Sequence, residues 1–412
     1  MTNLPQGWKW KSLGEICFIT DGTHKTPNYI ETGIPFLSVK NISKGFFDLS
    51  DVKYISLEEH NKLIKRAKPE FGDILICRIG TLGKAIKISL EFEFSIFVSL
   101  GLLKPKVKII SDYLVYFLNS CFIEEWINDN KVGGGTHTAK LNLNILEKCP
   151  IALPPLKKQE RIVGILDESF VKIDESIKIL EQNLLNLDEL MQSALQKAFN
   201  PLKDNAKENY KLPQGWEWKS LGEIGNTSSG GTPLRNKKEY WENGSIKWLK
   251  SGELNDGYID FIEENITEEA IENSSAKIFQ KGTLLIAMYG ATAGRLGILN
   301  LDSATNQAVC AFLHKDNKNI KFLEKFLFYF LFFIRDKIIK DSFGGAQPNI
   351  SQTYIKNLQI PLPPLKEQEQ IAKHLDFIFE KTKALKELYT KELKDYEELK
   401  QSLLDKAFKG EL

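Results

Sequence analysis

A chain of 412 residues that is 42% hydrophobic is long enough for two or three domains, each with its own core. A net charge of +1 excludes a uniformly basic nucleic-acid coat, so any phosphate binding must rest on local charge. Residues 1–154 hold 19 Lys+Arg against 16 Asp+Glu, whereas residues 155–199 hold 6 against 8. That bias has the sign a DNA reader needs, but it is weak.

Met1 to Gly7 lacks the basic, apolar and cleavage-site succession of a secretory signal, so a cytoplasmic location is expected. The longest apolar run, Phe326 to Ile334, is about half the roughly 20 residues of a membrane span and reads as a buried helix. Five cysteines form no Cys-x-x-Cys pair and no Cys/His cluster, so reduced thiols and no metal site are expected.

In chain order, Leu4-Pro-Gln-Gly-Trp-Lys-Trp-Lys-Ser-Leu-Gly-Glu-Ile16 opens a domain whose short strand-like runs, such as Asp73 to Cys77, are bounded by glycine turns. Tyr113 to Ile127 carries apolar residues at helical spacing and precedes Gly133-Gly-Gly135. Leu153-Pro-Pro-Leu then introduces a helix expected from Pro155 to Phe199, about 67 Å long at roughly 1.5 Å per residue. Its apolar residues Leu166, Phe170, Ile173, Ile177, Leu180, Leu184, Leu187 and Met191 alternate steps of four and three, a heptad seam that Ala194 and Ala198 extend. Asn200-Pro201 ends it.

The whole pattern then repeats. Leu212 to Ile224 restates the opening with one change, Gly282 to Ala287 restates the strand, and Phe322 to Ile339 restates the helical stretch. Leu362-Pro-Pro-Leu365 introduces a second helix, Pro364 to Phe408, whose seam of Leu375, Phe379, Tyr389, Leu393, Tyr396 and Leu403 is interrupted by Thr382, Lys386 and Lys400. A period of this length means two domain-sized units in tandem rather than a solenoid. The expected organisation is a recognition domain at 1–154, a long helix at 155–200, a linker at 201–211, a second domain at 212–363 and a second helix at 364–412. Both domains read as α+β. The two helices are expected to pair with each other, antiparallel, with one domain at each end and a pseudo-two-fold axis; a parallel pair would put both domains at one end.

Catalytic signatures are missing. Gly80-Thr-Leu-Gly-Lys84 lacks the spacing of a phosphate loop, Gly290 to Gly297 is no dinucleotide fingerprint, and no nucleophile elbow, His-Glu-x-x-His or Asn/Asp-Pro-Pro-aromatic tetrapeptide occurs. What recurs is a trio of glycine-punctuated polar loops in each copy. The first copy offers Thr23, His24 and Lys25; Arg78, Thr81 and Lys84; and Thr136, His137 and Lys140. The second offers Ser229, Thr232 and Arg235; Tyr289, Thr292 and Arg295; and Gln347 and Asn349. Such residues bind phosphate oxygens or read base edges, and glycine lets the backbone approach closely. Each loop alone reads equally well as a surface turn. Divergence at equivalent positions is what two readers of different sequences would show. The paired tryptophans Trp8/Trp10 and Trp216/Trp218, being nearly invariant between copies, read as framework packing each domain against a helix.

On Leu-Pro-x-Gly-Trp at 4–8 and 212–216, Pro-Leu-Pro-Pro-Leu-Lys-Glu-Gln at 361–368 and the duplicated helices, the chain resembles type I restriction-modification specificity subunits over essentially its whole length. The resemblance implies a non-catalytic, double-stranded-DNA-binding subunit with two target recognition domains, each reading half of a split site. It implies helices that act as a ruler and dock two modification (methyltransferase) subunits. Restriction subunits would join them to give a site-specific deoxyribonuclease and adenine-specific methyltransferase. S-adenosylmethionine, ATP and magnesium would then belong to those partners and no cofactor to this chain. Lys140 stands where the second copy has Asn349, and Thr138 where it has Gln347, so the second domain follows the family pattern more closely. A coiled-coil assembly scaffold and a methylation-only system are the alternatives.

Overall fold

The computed structural model describes residues 4–134, 139–199, 212–315, 321–342 and 349–412. Two units divide the chain: Met1–Glu181 with Thr390–Leu412, and Gln182–Tyr389. Each draws on both long helices.

In the first unit, β1 (Lys9–Ser12), α1 (Leu13–Ile16), β2 (Cys17–Asp21), β3 (Ile34–Leu37), β4 (Lys53–Ile55), α2 (Leu57–Leu63), β5 (Ile74–Cys77), β6 (Ala85–Lys87), β7 (Ser95–Ile96) and β8 (Leu100–Pro105) come first. α3 (Ser111–Leu118), α4 (Cys121–Asn130), α5 (Leu143–Leu146), β9 (Pro150–Leu153) and α6 (Leu156–Phe199) follow. An antiparallel sheet in the order β2-β8-β5-β6 carries the fold, beside a small sheet β4-β3-β7 and the pair β1-β9. β5 (Ile74, Leu75, Ile76, Cys77) is buried on both faces, Ile74 and Ile76 toward the α3 and α4 core and Leu75 and Cys77 toward the β3-side core.

The second unit repeats this with β10 (Glu217–Ser220), α7 (Leu221–Ile224), β11 (Gly225–Ser229), β12 (Ile246–Leu249), β13 (Gly257–Ile259), β14 (Asn265–Ile266), α8 (Glu268–Glu272), β15 (Ile278–Phe279), β16 (Leu284–Ala287), β17 (Leu296–Leu299), β18 (Ser303–Thr305) and β19 (Val309–His314). α9 (Glu324–Phe333), α10 (Arg335–Lys340), α11 (Gln352–Asn357), β20 (Gln359–Leu362) and α12 (Leu365–Lys409) complete it. Its main sheet runs β11-β19-β16-β17-β13, its second β14-β12-β18-β15, and β10 pairs with β20. The apolar run Phe326–Leu331 is buried in α9, as the sequence implies. Among the described residues no helix is long and apolar enough to cross a membrane.

The near-identical segments now have physical reasons. In Lys-Ser-Leu-Gly-Glu-Ile, Ser12 accepts from the Glu15 amide while the Glu15 carboxylate accepts from the Ser12 amide at 2.7 Å, and Ser220 and Glu223 do the same in the second copy. In Pro-Leu-Lys-x-Gln, Gln159 is buried, donates to the Pro154 carbonyl at 2.9 Å and accepts from the Ile110 amide at 3.0 Å. Gln368 likewise donates to the Pro363 carbonyl at 2.9 Å and accepts from the Leu323 amide at 2.8 Å. The glutamine thus fastens the first turn of each long helix to the helical layer before it. Of the tryptophans, Trp8 is buried among Tyr113, Leu166 and Phe408, and Trp216 is half-buried. Trp10 and Trp218 are exposed, Trp10 keeping a ring contact, 5.6 Å to Phe122.

Each of the two expected helical stretches is two helices, α3 and α4 in the first unit and α9 and α10 in the second. Between α3 and α4, the Asn119 side chain accepts from the Ala85 amide at 3.1 Å and donates to its carbonyl at 2.8 Å, binding β6 as a strand residue would and ending α3.

The helix seam is present within each unit. In the first, Leu166, Ile173 and Leu180 are buried and Phe170 and Ile177 partly so, while Leu404, Ala407 and Phe408 from the end of α12 enter the domain core. Leu393 and Leu403 are half-buried; beyond Tyr396 the buried set shifts to Leu404, because the last turn of α12 packs on α3 as well as on α6. In the second unit, Leu187 is buried and Leu184 half-buried, and Leu375 and Phe379 join Ala194, Leu195 and Phe199 on the α9 core. Within each unit the two helices run in opposite directions. The polar interruptions are accommodated: Lys400 pairs with Asp174, Lys386 with Asp188, and Thr382 is buried.

Candidate nucleic-acid interface

The three loops of each domain converge, and a different residue gathers them in each. The first loop leaves β2 or β11 pressed against the neighbouring strand end: a Cβ on Gly22 would lie 2.0 Å from the Ile96 carbonyl oxygen, and one on Gly230 would lie 2.1 Å from that of Thr305. Only glycine fits at either place. The second loop turns on Gly80 and Gly83 in one domain and Gly290 and Gly294 in the other, all at φ of 80–83°. The third loop returns through isolated bridges, Ile79 with Lys140 and Tyr289 with Asn349.

In the first domain the hub is Asp21, whose side chain is 2% exposed. Its carboxylate accepts from Arg78 Nη1 at 2.5 Å, from Arg66, and faces His24 Nε2 at 3.0 Å. Arg78 also donates from Nε to the Leu141 carbonyl at 2.9 Å, which ties the third loop to the second. Burial would raise the Asp21 pKa, but Arg66 and Arg78 outweigh it and hold the carboxyl below its usual value. These contacts give Arg78 an internal role. Its side chain is 9% exposed, with Nε on the Leu141 carbonyl and Nη1 on Asp21 and the Val98 carbonyl, so it braces the loops from within. Around it, His24, Lys25, Thr81 and Lys140 are exposed, and Thr23 and Lys84 half-buried. Thr23 also accepts from the Lys25 amide at 3.2 Å, a local turn.

In the second domain Ser229 takes the place of Asp21 and accepts from Gln352 instead. The hub moves to Gln307, a residue the loop pattern does not reveal. Its side chain accepts from Thr232, and its backbone carbonyl accepts from the Tyr289 hydroxyl at 2.7 Å. The matching carbonyl in the first domain, that of Val98, accepts from Arg78 at 3.4 Å, so neighbouring residues of the same turn do the same work. Arg235 donates to Glu264 at 2.6 Å and lies 3.8 Å over the Trp241 ring and 4.6 Å from that of Trp248, which fixes its guanidinium beside the first loop. Arg295 is exposed at the tip of the β16–β17 turn, with no ion pair among the described residues. Thr292 is half-buried and Asn349 exposed. Thr136, His137 and Gln347 lie outside the described residues.

Among the described residues no group of acidic, histidine or cysteine side chains could hold a metal ion. The surface these loops build is polar, glycine-cornered and carries forked and amide donors, groups that can contact base edges and phosphates.

A duplicated α+β domain carrying such loops, each followed by a helix of 44 or 45 residues, defines a class. The family model of the type I restriction modification DNA specificity domain matches residues 5–186 and again 213–395, and the chain belongs to that family. The StySPI specificity subunit of Salmonella potsdam is 27% identical over 431 residues, spanning 99% of this chain and 90% of that one. The EcoKI specificity subunit of Escherichia coli is 26% identical, again across 99% of this chain and 90% of that one. In fold, the chain is similar to a subunit solved in work on complex assembly and conformational transition of the type I R-M system (TM-score 0.79, 23% identity, all of both chains). It is also similar to the HsdS subunit from Thermoanaerobacter tengcongensis (TM-score 0.59, 23% identity, 100% and 98% covered). The chain is a type I restriction-modification specificity subunit.

Proposed function

We propose that the two loop clusters read two separate short segments of duplex DNA, one half-site per domain, and that the chain docks methyltransferase subunits without performing chemistry itself. The observation that carries this reading is the repetition of one loop scaffold with different side chains on it: Lys84 follows the Gly83 turn and Lys140 bridges to Ile79 in one copy, where Arg295 follows the Gly294 turn and Asn349 bridges to Tyr289 in the other. A scaffold held constant while its outward residues diverge is the arrangement that gives two specificities from one fold. S-adenosylmethionine would be bound by the modification subunits, and ATP and magnesium by restriction subunits, in a complex that methylates adenine and cleaves DNA.

The test is a methylation map of a host carrying the system, followed by footprinting of the assembled methyltransferase complex on the site so found. Two protected blocks separated by an unread spacer are expected; protection of one contiguous block would contradict the proposal. A pure scaffold would add no sequence preference to its partner in a gel shift.

A further inference from the structure

We propose that Arg66 is a base-reading residue of the first domain, that the base is a guanine, and that Asp21 positions it; this rests on the half-site reading above. Arg66 lies outside the three glycine loops, three residues beyond α2. Its Nε donates to the Asp21 backbone carbonyl at 3.2 Å and one terminal nitrogen donates to the Asp21 carboxylate, while the same nitrogen lies 3.4 Å from His24 Nε2. One edge of the guanidinium is therefore anchored on the hub of the loops. Nη1 has no hydrogen-bond partner among the described residues, and the side chain is 55% exposed.

Three physical points favour recognition over a purely internal brace. First, the internal role is already filled: Arg78, 9% exposed, holds the other carboxylate oxygen and the third loop. Second, one buried carboxylate faced by two guanidiniums leaves a surplus positive charge, and the outward member of the pair carries it toward solvent at the loop surface. Third, an arginine clamped along one edge has lost its rotamer freedom before any ligand arrives, so its open edge binds with little further ordering cost. A planar fork presented this way matches the O6 and N7 acceptors of guanine in the major groove. The second domain has a parallel device in Arg235, fixed by Glu264 and two indole rings. Arginine held rigid by an acid beside the first loop is thus common to both domains, although the residues come from different places in the chain.

The experiment uses the assembled methyltransferase complex with wild-type, Arg66→Ala, Arg66→Lys and Arg295→Ala chains. Binding is measured on duplexes in which each base pair of the mapped site is replaced in turn. A wild-type complex without base preference would overturn the half-site reading itself. Given wild-type preference, Arg66→Ala is expected to lose roughly tenfold to a hundredfold of discrimination at one G·C pair, in the half-site that Arg295→Ala leaves intact. Arg66→Lys keeps the charge but not the fork, so it should keep most of the affinity and lose the same discrimination. Three results would overturn the proposal while leaving the half-site reading standing: unchanged preference in Arg66→Ala, equal loss of affinity for every duplex, or relaxation of the half-site that Arg295 reads. A thermal melt of each variant complex separates loss of fold from loss of readout, and a folded Arg66→Lys complex with full discrimination would also refute it.

Discussion

Nη1 of Arg78 lies 2.5 Å from Oδ2 of Asp21, and both side chains are withdrawn from solvent. Removing one member of such a pair leaves a buried charge without a counterion, which costs about 3–5 kcal/mol. Asp21→Asn is therefore expected to lower the stability of the first unit by that order in a urea melt. Because the folded pKa of Asp21 is held below the ordinary 3.8, its contribution is complete above that value and is lost as pH falls through the folded pKa. Acid titration of wild-type stability should show this loss below about pH 4, and the variant should lack it.

The Arg295 side chain is exposed and makes no ion pair among the described residues, so its removal should leave the fold intact. Arg295→Ala is expected to reduce discrimination in one half-site by roughly tenfold, with the other half unchanged. Substituted-duplex binding by the assembled complex measures this; equal relaxation of both halves would count against one domain reading one half-site.

Ile173 and Leu180 are 6% and 7% exposed in the seam, whereas Val171 on the same helix is 58% exposed. Ile173→Asp or Leu180→Asp should destabilise the paired helices by several kcal/mol, since the carboxylate has no partner there. Val171→Asp should be tolerated to within about 0.5 kcal/mol. Denaturation and complex assembly measured side by side would show whether position on the seam, rather than added charge, sets the effect.

Burial pushes the thiols of Cys17, Cys77, Cys149 and Cys310 up to about 12. Almost no thiolate is then present at pH 8, and these four cysteines should resist alkylation until the protein unfolds. Cys121, only half-buried, is expected to react first. Mass spectrometry of a labelling time course checks the order.

The duplication, the long helices and the apolar seam were legible because each is a periodic pattern that local chemistry imposes on the chain. The capping boxes at Ser12 and Ser220 were also written in the sequence, as Ser-x-x-Glu, and explain the near-identity of that segment in the two copies better than tryptophan packing alone. The hubs were not legible. Asp21 sits in a turn-like Asp-Gly-Thr string that gives no sign of burial, and its partners Arg66 and Arg78 are 45 and 57 positions away. Gln307 is similarly joined to Thr232 from 75 positions off. Long-range pairing of charges leaves no local signature. The interruptions at Lys386 and Lys400 read as defects in a heptad until Asp188 and Asp174, on the other helix, are placed beside them.

The ring of Phe408 packs 4.9 Å from that of Phe117 and 5.7 Å from that of Tyr113, inside the core of the unit that contains the first domain. During translation, the domain made first must therefore wait with an open apolar socket while about 250 further residues leave the ribosome. Contacts of such sequence separation are slow to close. The first domain is begun before the second and finished after it, and the interval is when a nascent chain of this kind is most exposed to aggregation and to chaperones.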